Sequence, residues 1–262
     1  NLIISGSGGI DRSGDSIADT NYSEYSSSIY VSKSKSIKVK DIGILGYQSD
    51  IDLYNDIKNI TSGSAVIINN GADGCSLDSL YLKDGTNGIA LAINRTANAQ
   101  DIDPLLAPVT NTSISNIECA NFEHPLLLAD CDGVNLSNIN HFIEQGTGGT
   151  STGASQRGLF LHSCKNVNIT NYNTKGSFKT GVFFRNYKPL TGININNINI
   201  TMQSESVIKS ARGSGYSGNE GIGLRFQSDN CESIKVSKFK VDNSNIGIAY
   251  TNIGTKLVTL EN

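Results

Sequence analysis

The chain has 262 residues with 27 Gly, 4 Pro, 8 Phe, 10 Tyr and no Trp, and it carries about 30 Asn where charged residues amount to only 17%. Asn, Ser, Thr and Gly compete with or weaken helices, so this composition excludes a helical protein, and the low charge excludes ordinary disorder. A net charge of −3 and a pI near 5.6 remove the electrostatic case for nucleic acid, and no apolar run approaches the roughly 20 residues of a membrane span.

In chain order the sequence alternates two kinds of phrase. Leu2-Ile-Ile4 opens an apolar alternation at Asn1 without a Met, which predicts a piece of a longer chain. Short apolar phrases follow at Ser28–Val31, Ser64–Ile67, Ile89–Ala92, Pro125–Leu128, Gly158–Leu161, Gly181–Phe184, Ile222–Arg225 and Ile246–Ala249. Between them runs a second phrase: Ile37–Ile44, Cys75–Leu82, Thr112–Cys119, Val134–His141, Val167–Thr174, Ile193–Ile200 and Ile234–Val241. In each, apolar residues alternate with polar ones and the alternation restarts after the fifth position.

That fifth position is Asp41, Ser79, Asn116, Asn138, Asn171, Asn197 and Lys238. Such a break predicts two strands joined by a sharp bend. Asn suits it, because it tolerates the left-handed backbone conformation and can bond to an Asn stacked above it. The column therefore predicts an internal asparagine ladder. The tightest interval, Asn116 to Asn138, suits three short strands and three turns. The expected fold is an all-β, right-handed, single-stranded parallel β-helix of about eight to nine coils, filling residues 1–262 as a single domain.

The opening Asn1-Leu-Ile-Ile-Ser-Gly-Ser-Gly-Gly-Ile-Asp11 is similar to the N-x-x-I-x-G-x-G-x-I-D stretch of early coils in the pectin-lyase-like superfamily. Cys164-Lys-Asn-Val-Asn-Ile-Thr-Asn171 and Gly192-Ile-Asn-Ile-Asn-Asn197 resemble its coil phrases, and the likeness covers nearly the whole chain. It implies an enzyme that degrades a bacterial surface polysaccharide, most like a phage tailspike depolymerase, as a homotrimer on a virion tail or otherwise extracellular. The N-T-D, D-D, G-H-G and R-I-K motifs of its polygalacturonases are absent, so no catalytic residue carries over. A non-catalytic shaft or adhesin that binds glycan or only spaces other domains is the alternative, consistent with few aromatic platforms (Tyr22, Tyr25, Tyr47, Tyr54, Tyr187 and Tyr216).

Candidate chemistry concentrates where long insertions (45–62, 142–156, 201–220 and 95–110) leave the repeat. Aligning the phrases places Glu123, Gln156, Lys179 and Glu220 in one column, with His124, Arg157, Thr180 and Gly221 beside it. Glu220 would stand roughly 14 Å from Glu123, beyond the about 6.5–9.5 Å of an inverting carboxylate pair, so Glu144 would have to complete one. Arg157 with Lys179 or His124 could instead serve β-elimination, as base and carboxylate clamp. The bland reading is a solvated edge of weak ion pairs.

Asp130 and Asp132, with Asp101 and Asp103, could hold Ca²⁺ or act as acid and base; ordinary turn aspartates are the alternative. No cofactor is otherwise implied. Arg185, Arg225 and His162 lie in the first-strand track, pointing into the groove or partly buried. Cys131 and Cys164 should stack as paired thiols, and the five Cys form neither a disulfide framework nor a zinc site. Finally, Leu126–Leu128, Leu159–Leu161 and Val182–Phe184 are apolar on both faces. Such strands need a cover outside the repeat, either the long loops or a second subunit.

Overall fold

The computed structural model describes residues 2–5, 27–47, 64–91, 107–143, 157–177, 179–185, 190–202, 221–227, 231–251 and 258–262. The strands are β1 (Leu2–Ser5), β2 (Ile29–Ser32), β3 (Lys38–Tyr47), β4 (Ser64–Asn69), β5 (Ser76–Leu91) and β6 (Val109–Thr110). They continue with β7 (Ser113–Ala129), β8 (Cys131–Phe142), β9 (Arg157–His162), β10 (Lys165–Ser177) and β11 (Thr180–Arg185). The last are β12 (Leu190–Met202), β13 (Ile222–Gln227), β14 (Cys231–Asp242), β15 (Ile246–Thr251) and β16 (Val258–Glu261). Among the described residues there is no helix, and none therefore long and apolar enough to cross a membrane.

Every strand pair is parallel, and each strand pairs with its counterpart one repeat further along. One ladder runs β2–β4–β5–β7–β9–β11–β13–β15, using the C-terminal ends of β5 and β7. The other runs β1–β3–β5–β7–β8–β10–β12–β14–β16. This all-parallel stacking of successive repeats is consistent with a parallel β-helix.

Sharp corners make the stacking possible. Asp41, Ser79, Asn116, Asn138, Asn171, Asn197 and Lys238 share one register position, and all are left-handed, with φ from 52° to 61°. A second column, Ser36, Gly74, Asn111, Gly133, Asn166, Gly192 and Ser233, is left-handed too. A corner residue of this kind turns the strand without interrupting the ladder on either side. Outside Gly and Asn it costs on the order of 1–2 kcal/mol, which is why these columns are rich in both.

The Asn ladder forms as expected, but on the outside rather than inside. Asn138 donates to Asn116 (3.0 Å), Asn171 to Asn138 (2.9 Å) and Asn197 to Asn171 (2.7 Å), while Asn116 donates to Asp78 (2.8 Å) and not to Ser79. Of these corner Asn only Asn171 is half-buried; the others are exposed. The interior next to them is filled by Ile117, Ile139, Tyr172 and Ile198. An outward amide keeps its second N–H and its other lone pair in water, where an inward one would leave them unpaired. Two further exposed ladders flank the first: Asn194 to Asn168 to Asn135, and Asn199 to Asn173 to Asn140.

Between the ladders lies a continuous, mainly apolar interior, and the rings of Phe184, Phe226 and Tyr250 stack in register in successive repeats. Ile29, Val66, Ile89, Leu126, Leu159, Val182, Leu224 and Ile248 form one of its columns. This register starts the first-strand phrases at Ala65, Gly88, Gly223 and Gly247, one residue away from the sequence-based alignment at Ser64, Ile89, Ile222 and Ile246. At Gly158, Gly181 and Gly223 the residue before the column lies against side chains of the strand that follows and the carbonyl of the next repeat. A Cβ at Gly181 would overlap a methyl of Ile200 and reach 2.8 Å from the Gly223 carbonyl oxygen.

Two stability predictions follow from these contacts. Asn171→Val should cost about 2 kcal/mol by losing both the corner and the ladder bond, and Asn171→Gly clearly less, because the corner survives. Gly181→Ala should cost about 1–3 kcal/mol by overpacking. Urea denaturation measures all three.

Candidate functional site

The first-strand ladder has two faces. Inward residues belong to the main core. Outward, in one register column, stand Ile67, Ala90, Leu127, Phe160 and Phe183, a separate apolar cluster at most 2% exposed. The two-faced apolar character read from the sequence is therefore real. This outward column is buried within a single chain, so it does not require a second subunit to cover it.

Phe160 and Phe183 stack 5.1 Å apart and nearly parallel. The next position in the column is Arg225, whose guanidinium carbon lies 5.2 Å from the Phe183 ring centroid. Arg185 stands two residues beyond Phe183 on the same face, in register with His162 on one side and Gln227 on the other. His162 is buried, with its ring 5.9 Å from that of Phe160. Burial, and then the charge of Arg185, lower the pKa of Arg225 from the usual arginine value. Two of the predicted substrate-binding residues, Arg185 and Arg225, thus stand on the same face of neighbouring strands.

The other candidates are more dispersed. Glu123 and His124 lie within β7, where His124 pairs with Asn87. Arg157 opens β9 opposite Thr180, so Arg157 and Lys179 stand at the starts of neighbouring strands. Lys179 is half-buried, and its carbonyl accepts the Ile222 N–H at 3.0 Å. Thr180 pairs with Ile222 rather than Gly221, so the column drawn through Lys179 and Glu220 slips by one residue. Glu220, Glu144, Asp101 and Asp103 lie outside the described residues.

Asp130 occupies a left-handed corner and its N–H binds the His162 carbonyl at 3.0 Å. Asp132 accepts the Asn166 amide at 2.7 Å. Other acids are also engaged in the stacking. Asp73 accepts from Thr110 (2.7 Å) and Asn111 (2.9 Å), and these bonds hold its carboxyl below the ordinary range. Asn116 and Ser115 do the same for Asp78, helped by Lys40 at 3.4 Å. Among the described residues no three His, Cys, Asp or Glu side chains converge on a metal position.

A polar cluster inside the repeat was not singled out from the sequence. His141 is buried where the equivalent phrases carry Ile44, Leu82, Cys119, Thr174 and Ile200. The signal was available: a His in the apolar phase of its phrase. Its Nε2 lies 3.1 Å from the Phe122 carbonyl, and its Nδ1 2.8 Å from Thr174 Oγ1. A carbonyl only accepts, so Nε2 carries the proton and Nδ1 accepts from the threonine hydroxyl. Burial pushes the imidazole pKa down to about 4. Burial also raises Tyr172 and Cys119, in the same interior, so both stay protonated. Cys131 and Cys164 stack as expected, their sulfurs 3.4 Å apart and unbridged.

Comparison with family models, with curated proteins and with solved structures finds no match for this chain.

Because His141 binds a proton more readily unfolded than folded, its contribution is complete above pH about 6.5 and is lost as the pH falls toward 4. The loss should be on the order of 3 kcal/mol. Urea midpoints between pH 7 and 4 should fall more steeply for the parent than for His141→Gln; equal slopes would contradict the assignment.

Proposed function

We propose that the chain is a right-handed, pectin-lyase-like parallel β-helix of about eight to nine coils that binds and cleaves an extended surface polysaccharide, by hydrolysis or β-elimination. The observation that carries this reading is the placement of Arg185 and Arg225 on the outward face of neighbouring strands of the first-strand ladder. Arg157 opens β9 and Lys179 immediately precedes β11 in the same ladder. In a hydrolase, Glu123 would act with Glu144 as acid and base; in a lyase, Arg157 with Lys179 or His124 would supply base and clamp. The resemblance extends the proposal to a homotrimer on a virion tail or otherwise outside the cell, which a single-chain mass in sedimentation would remove.

A second reading, a glycan-binding shaft without catalysis, is favoured by the engagement of Asp73, Asp78 and Asp132 in side-chain hydrogen bonds between repeats. Incubation with a panel of bacterial surface polysaccharides separates the two. A lyase raises absorbance near 235 nm, and a hydrolase releases reducing ends without it. Glu123→Gln or Arg157→Ala should lower the rate at least about hundredfold. Binding with neither signal would support the shaft, and no binding at all would remove both readings.

A further inference from the structure

We propose that Cys131 and Cys164 are a redox modification site: a low-molecular-weight disulfide converts the two thiols into a cross-link between successive repeats.

The register selects this pair from the five cysteines. Lys165 pairs with Asp132, so Cys164 stands in register with Cys131. Their column continues to Val109 on one side and to Leu190 and then Cys231 on the other. Leu190 therefore separates Cys231 from Cys164. Cys119 faces Leu82 and His141, and the pairing of Ser76 with Lys38 and Ser113 puts Ile37 and Thr112 beside Cys75.

The geometry suits a bond. Parallel neighbours in register lie about 4.8 Å apart, within the roughly 4.4–6.8 Å Cα separation that a disulfide spans. The two sulfurs stand 3.4 Å apart, so about 1.4 Å of approach completes a bond of roughly 2.05 Å. Each cysteine directly follows a left-handed corner, Asp130 or Ser163, and precedes another by two residues, at Gly133 or Asn166. Both are buried, and the Leu128 and His162 carbonyls contact the Cys164 sulfur at 3.2 and 3.3 Å. Two thiols held in this way have a higher effective concentration toward each other than in the unfolded chain.

Burial also sets the rate. The contact with Cys164, burial, and the charges of Asp130 and Asp132 push the Cys131 thiol up. A protonated thiol does not attack a disulfide, so the reduced pair persists until local opening lets one thiol ionise. That thiolate attacks a sulfur of the small disulfide and displaces one thiolate. The second cysteine then attacks the protein sulfur of the mixed disulfide and displaces the other. The two cysteines lose two electrons, the small disulfide gains them, and the two cysteine protons end on the released thiols. The product closes a loop of chain that contains β8 and β9, which restricts the unfolded state.

The test equilibrates the whole chain in glutathione buffers of graded redox ratio, folded at neutral pH and unfolded in concentrated urea, starting from both the reduced and the oxidised protein. Folded samples are also prepared by refolding from urea into the same buffers, so that slow access to the buried pair does not mask the result. Alkylation and peptide mass spectrometry count the links. The expected result is loss of two of the five thiols, one Cys131–Cys164 link, and an equilibrium constant for it at least about tenfold larger folded than in urea. The oxidised chain should then show the higher urea midpoint. Cys231→Ala should leave the link intact, and Cys164→Ala should abolish it. Retention of all five thiols at every ratio, a constant no larger than in urea, or links that include Cys75, Cys119 or Cys231 would overturn the proposal and leave the pair as core packing.

Discussion

A parallel strand that must return beneath itself within the tightest interval of this chain has little length for turns. One left-handed residue per corner is the solution adopted here. Two columns of such residues, headed by Ser36 and Asp41, recur repeat after repeat, and Lys33, Asn70, Asp130 and Ser163 add further left-handed bends after the first strand. Each corner would be a strain for most side chains. Gly removes the strain by lacking Cβ, and Asn reduces it by local hydrogen bonding. Asn does one thing more: its amide bonds to the Asn of the adjacent repeat, so the residue that turns the chain also joins the layers.

This constraint shapes what the molecule can do chemically. Acids that look catalytic in sequence, such as Asp132 beside Gly133, occupy corners or strand ends where an Asn or Thr of the next repeat binds them. Their carboxylates serve as acceptors in the stacking. The three exposed Asn ladders likewise cover the second ladder's outer surface with amides already partly engaged with one another.

The first-strand face depends in turn on small residues. Gly158, Gly181 and Gly223 let the strand that follows pack closely on the ladder; at Gly158 a Cβ would lie 2.9 Å from the Tyr172 hydroxyl. That close approach sets the register, and the register decides which side chains face outward. With it, Phe160, Phe183 and Arg225 fall into one column.

The sequence alone determined the parallel repeat, the corner position at Asp41 through Lys238, the pairing of Cys131 with Cys164 and the two-faced apolar character of the first strands. These are local properties, fixed by alternation and by the backbone preferences of Asn and Gly. Only the tertiary structure decided the outward direction of the Asn ladder, the interior bonds of His141, the one-residue shift of four first-strand phrases and the contact of Arg225 with Phe183. Each depends on which atoms of a neighbouring repeat fill the adjacent space. A period-2 pattern distinguishes two faces, but the packing of adjoining layers sets which residue of one repeat lies over which residue of the next.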